Sequence, residues 1–166
     1  AAARESGLEL VILRPPLVYG PGVKGNLRAL IRLVASGLPL PFAVIDNRRS
    51  LIALDNLAGL TALACAHAAA AGRIWLARDA VDLSTPQLLE ALAAGLGHRA
   101  RLYPMPRPLL AAASALPMVG PLLSRLTLSL QVDADETHDL LGWTPAVAPE
   151  AGLAEAARAY LRQNPR

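Results

Sequence analysis

The stretch Leu8-Glu9-Leu10-Val11-Ile12-Leu13-Arg14 constrains this chain more than any other. Apart from Glu9 it is apolar on both faces until Arg14, so it is not a strand with one wet side. Such a run belongs inside a parallel sheet covered on both faces. A buried parallel strand needs parallel neighbours, yet the sequence offers few further strand candidates, at 51–54, 73–77, 42–45 and 101–103. Too little sheet is present to surround it. The chain, 1–166, therefore reads as one carboxyl-terminal portion of a larger α/β protein. Ala1-Ala2-Ala3-Arg4-Glu5-Ser6-Gly7 reads as the end of a helix, with a glycine suited to the left-handed cap position.

Helices are easier to place. Residues 26–36 carry Leu27, Leu30, Ile31 and Val34 on one helical face, with Asn26 as cap and Gly37 as stop. A second helix spans 55–71 and stops at Gly72. Ser84 with Pro86 and Gln87 forms a capping box for a helix to Leu96. Asp133 with Glu136 has the same pattern for a short helix ended by Gly142, and 149–162 is the last helix.

Composition narrows the function. Hydrophobic residues make up 54% and charged residues 17%, which excludes a disordered chain. The single Cys65 excludes an internal disulfide and a cysteine zinc cluster, and it suits a reducing cytoplasm. No metal site is expected, because His67, His98 and His138 are scattered. His67 reads as structural, the other two as solvent-facing. The longest uncharged stretch, 108–124, is interrupted by Pro117, Gly120 and Pro121, so no membrane span is expected. A net charge of +3 invites nucleic acid, but the basic residues are dispersed and only 4% of residues are aromatic, which argues against a stacking platform.

Gly20-Pro21-Gly22-Val23-Lys24-Gly25 matches the spacing GxGxxG, with Asp46 further on. A dinucleotide fingerprint needs its first glycine at the tight turn leaving a strand. Here Pro15-Pro16-Leu17-Val18-Tyr19 intervenes, and the reading is a turn-rich site loop instead. Tyr19 and Lys24 are also wrongly spaced for one helical turn, so no general acid or base for carbonyl chemistry is visible and no catalytic residue is assigned. Arg48-Arg49 reads, from pattern alone, as solvated charge beside a hairpin turn at Asp46-Asn47.

Three stretches in order, Arg14-Pro15-Pro16-Leu17-Val18-Tyr19-Gly20-Pro21-Gly22, Arg49-Ser50-Leu51-Ile52-Ala53-Leu54-Asp55-Asn56-Leu57 and 133–143, resemble the extended short-chain dehydrogenase/reductases. The likeness is to their NAD-dependent epimerase/dehydratase family, which acts on nucleotide-sugars, and to its carboxyl-terminal part. The resemblance implies an α/β fold with few parallel strands and a small helical substrate-binding lobe. It puts Pro16, Leu17 and Val18 in a loop after a sheet strand, facing nicotinamide and sugar. Asn26 and Leu27 would open the helix beside the nucleotide diphosphate, Leu40, Pro41 and Phe42 would lie along the base, and Arg49 would hold the diphosphate with Arg125 as the second arginine. Leu17 stands where many family epimerases have Asn, Ser50 where they have Asp, and Glu136 where they have Lys.

The implied protein is a UDP-hexose 4-epimerase using NAD(P), whose main cofactor motif and catalytic Tyr and Lys lie outside this chain, leaving the fragment inactive alone. A 4-keto-sugar reductase or dehydratase is the alternative within the family, and a non-catalytic binding module the alternative outside it. The expected partners are a nucleotide-sugar, an amino-terminal half and, through exposed apolar surface, a second copy of the chain.

Overall fold

The computed structural model describes residues 9–114 and 120–164. The apolar run yields strand β1 (Ile12–Arg14), which pairs in parallel with β4 (Ile74–Leu76), Ile12 opposite Ile74 and Arg14 opposite Leu76. One face, with Leu13 and the buried Trp75, packs on Ile52, Leu60, Ala70, Leu141 and Trp143. On the other, Ile12, Ile74 and Leu76 are exposed. Cover on both faces is therefore found on one face only among the described residues. The helix end expected at residues 1–7 lies outside them.

A second parallel pair joins β2 (Leu17–Tyr19) to β3 (Leu51–Ala53), connected through helix α1 (Gly25–Ala35). This corrects the expected loop: Pro16 sits in a bend, but Leu17 and Val18 lie in a strand. Two prolines cannot donate to a ladder, so the chain leaves one sheet at Arg14 and enters the next after Pro16. Residues 42–45 form a turn and not a strand, while Leu40 bridges Leu102 singly. Asn26 is not a cap, since α1 begins at Gly25 after Lys24.

β3 is buried at every residue and runs straight into α2 (Leu54–Ala66). This helix ends earlier than the sequence pattern suggests. His67 leaves helical geometry at ψ 117°, and its Nδ1 accepts from the Ala69 N–H of a short 3₁₀ turn (Ala68–Ala70). α3 (Thr85–Gly95) opens on the expected capping box, with the Gln87 side chain accepting from the Ser84 N–H at 2.8 Å. Helices α4 (Arg107–Ser114) and α5 (Gly120–Thr127) were not legible in the pattern. Their prolines, Pro108 and Pro121, fall in the first turn, where no backbone donor is needed. α6 (Asp135–Leu141) lacks its expected box: Asp133 accepts from the Asp135 N–H at 3.1 Å, while Glu136 pairs with Arg73. It ends, as read, on left-handed Gly142 at φ 60°. His138, expected in solvent, stacks on Trp143 with ring centres 5.1 Å apart.

α7 (Pro149–Gln163) closes the larger core with β2, α1 and α3. It crosses α3 so closely that a β-carbon on Gly95 would stand 2.2 Å from the Ala154 carbonyl oxygen.

Between the two sheets lies a buried polar knot. Asp79, 1% exposed, accepts from the Tyr19 hydroxyl at 2.7 Å, the Asn56 amide at 2.7 Å and the Ala53 N–H at 3.1 Å. Asn56 also donates to the Val147 carbonyl at 2.9 Å and accepts from the N–H groups of Ala146 and Val147. Burial, then the hydrogen bond to Asp79 and the charges of Asp79 and Glu150, push the Tyr19 phenol far above its usual range.

Gly95→Ala should lower stability by about 3 kcal/mol or more in urea denaturation, since backbone and not a flexible side chain blocks the methyl. Gly59→Ala, where a methyl meets nothing, should raise it by ~0.5–1 kcal/mol. For Tyr19, the unfolded phenol titrates near ~10 and the folded one higher, so its contribution is complete below pH ~10 and drains away above it. Urea midpoints of the wild type should fall faster between pH 9 and 11 (roughly one unit either side of that pKa) than those of Tyr19→Phe.

Candidate functional site

The site begins with a buried asparagine. Asn47, 4% exposed, donates from Nδ2 to the carbonyls of Leu126 and Leu128, both at 3.1 Å, and accepts at Oδ1 from the Thr85 N–H at 2.8 Å. It thereby binds the end of α5 to the first turn of α3. The next residues are held between two other segments: Arg49 and Leu83 exchange backbone hydrogen bonds at 3.0 and 3.1 Å, and Ser50 donates to the Leu130 carbonyl at 2.8 Å. The hairpin read at Asp46-Asn47 is therefore overturned. Asn47 faces the core, and β3 beyond it runs parallel to β2.

This backbone presents Arg49. Its half-buried side chain donates from Nη1 to the carbonyls of Arg125 and Leu128. Burial lowers its pKa from the ordinary value, the consequence of holding charge partly out of water, although a guanidinium stays charged at neutral pH. Nε and Nη2 make no hydrogen bond among the described residues. Arg125 in turn donates to the Asn26 side-chain oxygen at 3.3 Å, in the first turn of α1.

These groups surround a cavity of about 170 Å³, closed on its other sides by Leu17, Leu27, Leu30, Leu88 and Leu126. Five of the expected residues thus come together: Leu17, Asn26, Leu27, Arg49 and Arg125. Val18 lines a neighbouring cavity of about 270 Å³ with Leu17 and Lys24. Pro16 lines neither. Leu40 and Phe42 turn into the core at 6% and 2% exposure, Pro41 is half-buried beside them, and none of the three reaches the arginines' cavity. Asn47 and Thr85 were missed; a buried asparagine before Arg48-Arg49 looks, in sequence, the same as one in a turn.

Among the described residues no carboxylate lines the arginine cavity, and no acidic residue occupies the first turn of α1. Two guanidinium groups and the positive end of an 11-residue helix all favour an anion there, with leucines against whatever the anion is attached to.

β2 ends at Tyr19, so the first glycine of Gly20–Gly25 does leave a strand directly. Asp46, the acid that completes the spacing, is exposed and precedes β3, whereas a dinucleotide fingerprint's acid ends its second strand; Asp55 lies just past β3, in the first turn of α2. Gly20 is moreover packed by its own fold, since a β-carbon there would lie 3.0 Å from the Leu54 β-carbon. Among the described residues there is no cluster of three or more metal-binding side chains, and no helix is long and apolar enough to cross a membrane.

The architecture is that of the carboxyl-terminal part of a Rossmann-type, extended short-chain dehydrogenase/reductase. The resemblance to the NAD-dependent epimerase/dehydratase family holds over the chain's length. The chain is 38% identical over 167 residues to UDP-glucose 4-epimerase of Vibrio cholerae, covering 100% of this chain and 51% of that protein. It is 26% identical to the uncharacterized protein y4nL of Sinorhizobium fredii (strain NBRC 101917 / NGR234), covering 91% of this chain and 47% of that one. Among solved structures, RMD from Pseudomonas aeruginosa complexed with NADPH gives a TM-score of 0.68 at 17% identity, over 97% of this chain and 50% of that one. UDP-N-acetylglucosamine 4-epimerase from Bacillus cereus gives 0.67 at 16%, over 96% and 50%. These structures speak to the fold alone. No family model matches the chain. The chain spans about half the length of the curated relatives it matches.

Asn47→Ala removes three hydrogen bonds and leaves buried partners unsatisfied. It should cost about 2–4 kcal/mol in urea denaturation, whereas Asn26→Ala, on the surface, should stay within about 0.5 kcal/mol.

Proposed function

We propose that this chain is the nucleotide-sugar-binding portion of an NAD-dependent epimerase acting at C4 of a UDP-hexose. The observation that carries the reading is the single cavity, free of carboxylates, that gathers Arg49, Arg125 and the first turn of α1. In this reading the free Nε and Nη2 of Arg49 hold diphosphate oxygens side by side. Arg125 closes on the diphosphate from α5, and the N–H groups opening α1 complete the anion site. The sugar extends past Leu17 toward the cavity of Val18 and Lys24. The relative from Vibrio cholerae, a UDP-glucose 4-epimerase by name, supports this substrate class.

In such an enzyme a bound nicotinamide would supply the hydride chemistry at the sugar carbon. The Gly20–Gly25 turn is not read as a dinucleotide site, because Gly20 is packed against Leu54 and Asp46, the acid that completes its spacing, precedes β3. The sequence also carries no Tyr-x-x-x-Lys pair, Lys24 being its one lysine. Cofactor binding and proton transfer are therefore assigned to a further α/β half, which would also cover Ile12, Ile74 and Leu76 on the β1–β4 pair.

Titration calorimetry of the chain with UDP tests this. Binding should weaken as salt rises, and Arg49→Ala should weaken it at least about tenfold, the loss of roughly one charge-assisted pair. Equal affinity in Arg49→Ala, or sugar epimerisation by the purified chain alone, would sink the reading.

A further inference from the structure

The two longest acid-free spans of the chain meet on one surface. No Asp or Glu stands between Glu9 and Asp46, nor between Glu90 and Asp133. Backbone hydrogen bonds join the two spans: the Leu40 N–H donates to the Arg101 carbonyl at 2.8 Å, the Tyr103 N–H to the Leu40 carbonyl at 3.0 Å, and the Ala43 N–H to the Tyr103 carbonyl at 3.3 Å. Along 99–103 the side chains alternate as in a strand. Ala100 and Leu102 pack on the larger core, whereas Arg99, Arg101 and Tyr103 are exposed. Arg101 reaches the end of α1, its Nη1 donating to the Gly37 carbonyl at 3.5 Å. The next residue, Leu38, is 58% exposed, and Val44, beside Ala43, is 41% exposed. Two arginines, a tyrosine and two aliphatic side chains therefore share one stretch of surface. Among the described residues neither arginine belongs to a salt bridge, unlike Arg73, Arg78, Arg158 and Arg162.

This mixture discriminates among anionic partners. A nucleic acid backbone would use the arginines but gain nothing from Leu38 and Val44, and one aromatic ring is no stacking track. A phospholipid surface uses every group: headgroup phosphates meet the guanidinium groups, the phenol sits at the water boundary, and the aliphatic side chains enter the acyl region. We propose that the face formed by Leu38, Val44, Arg99, Arg101 and Tyr103 docks this chain on an anionic phospholipid surface, lying on the bilayer without crossing it. The missing carboxylates matter as much as the arginines present, because an acid in the contact plane would be repelled by the same headgroups. So few apolar side chains do not hold a protein by themselves, so the docking is weak, reversible and sensitive to salt. It is independent of the nucleotide-sugar reading.

Cosedimentation of the chain with phosphatidylcholine vesicles, with and without phosphatidylglycerol at about 30 mol%, tests this. The chain should sediment with the anionic vesicles, stay in solution with the neutral ones, and be released as salt rises. Each arginine at such a surface is worth about fivefold in partitioning, so Arg99→Gln with Arg101→Gln should weaken binding by about twentyfold. Arg99→Lys with Arg101→Lys should restore most of it, which separates lost charge from a folding defect. Leu38→Ser should weaken binding by about fivefold through lost apolar burial. Arg158→Gln with Arg162→Gln removes the same charge from α7, where both arginines pair with Glu155, and should change binding by less than about twofold. Vesicle binding that survives the loss of Arg99 and Arg101 would belong to another surface, such as the exposed apolar face of β1 and β4, and would overturn the proposal. Equal sedimentation with neutral vesicles would do the same. So would indifference to Leu38→Ser, or an equal affinity for a duplex DNA oligonucleotide, either of which makes this face a general polyanion site.

Discussion

The carboxylate of Asp79 is the point from which the rest of the structure hangs. It is almost without solvent contact, so its oxygens are satisfied by the Tyr19 hydroxyl, the Asn56 amide and the Ala53 N–H. Those donors belong to β2, the start of α2 and the end of β3. Through Asn56 the same network reaches the Ala146–Val147 backbone, which leads into α7. A buried polar network is strongly unfavourable unless complete, and this one is complete, with no buried side-chain donor or acceptor left unpaired among the described residues. The two strand pairs share no ladder, and this knot gives them a common frame.

The placement of the arginines follows from that frame. β3 is fixed by Asp79 below, and the segment before it is fixed by Leu83, Leu130 and Asn47. Arg49 therefore enters the cavity from a backbone hydrogen-bonded on both edges. Its Nη1 is occupied by carbonyls at the end of α5, which fixes the plane of the guanidinium before any ligand arrives. An anion meeting it finds the orientation already set, and little side-chain freedom remains to be lost on binding.

Most of the helices could be read from the sequence because their signals are local. The Ser84 capping box, the apolar face of α1 and the glycine stop at Gly142 depend on residues a turn apart. Three strands fall within the apolar runs at 8–14, 51–54 and 73–77, each shorter than its run, whereas β2 was hidden behind Pro15 and Pro16. Helices α4 and α5 were hidden for the opposite reason, since prolines that break a helix in its middle are harmless in its first turn. At the site, Arg49 and Arg125 were placed together by resemblance to a family, because nothing local links residues so far apart in sequence. Asn47 reads in sequence as a turn residue and Asp79 carries no signal at all: an amide or carboxylate becomes structural only through partners that tertiary folding brings.

The crossing of α3 and α7 reaches further than packing. Glycine at 95 lets the two helix backbones touch, so α3 has no position of its own apart from α7. Yet α3 carries Thr85 and Leu88, which form one wall of the arginine cavity. The arginine cavity near the middle of the sequence is thus completed by α7. Any shortened version that ends before Pro149 would leave that wall unsupported, however intact the arginines themselves remained.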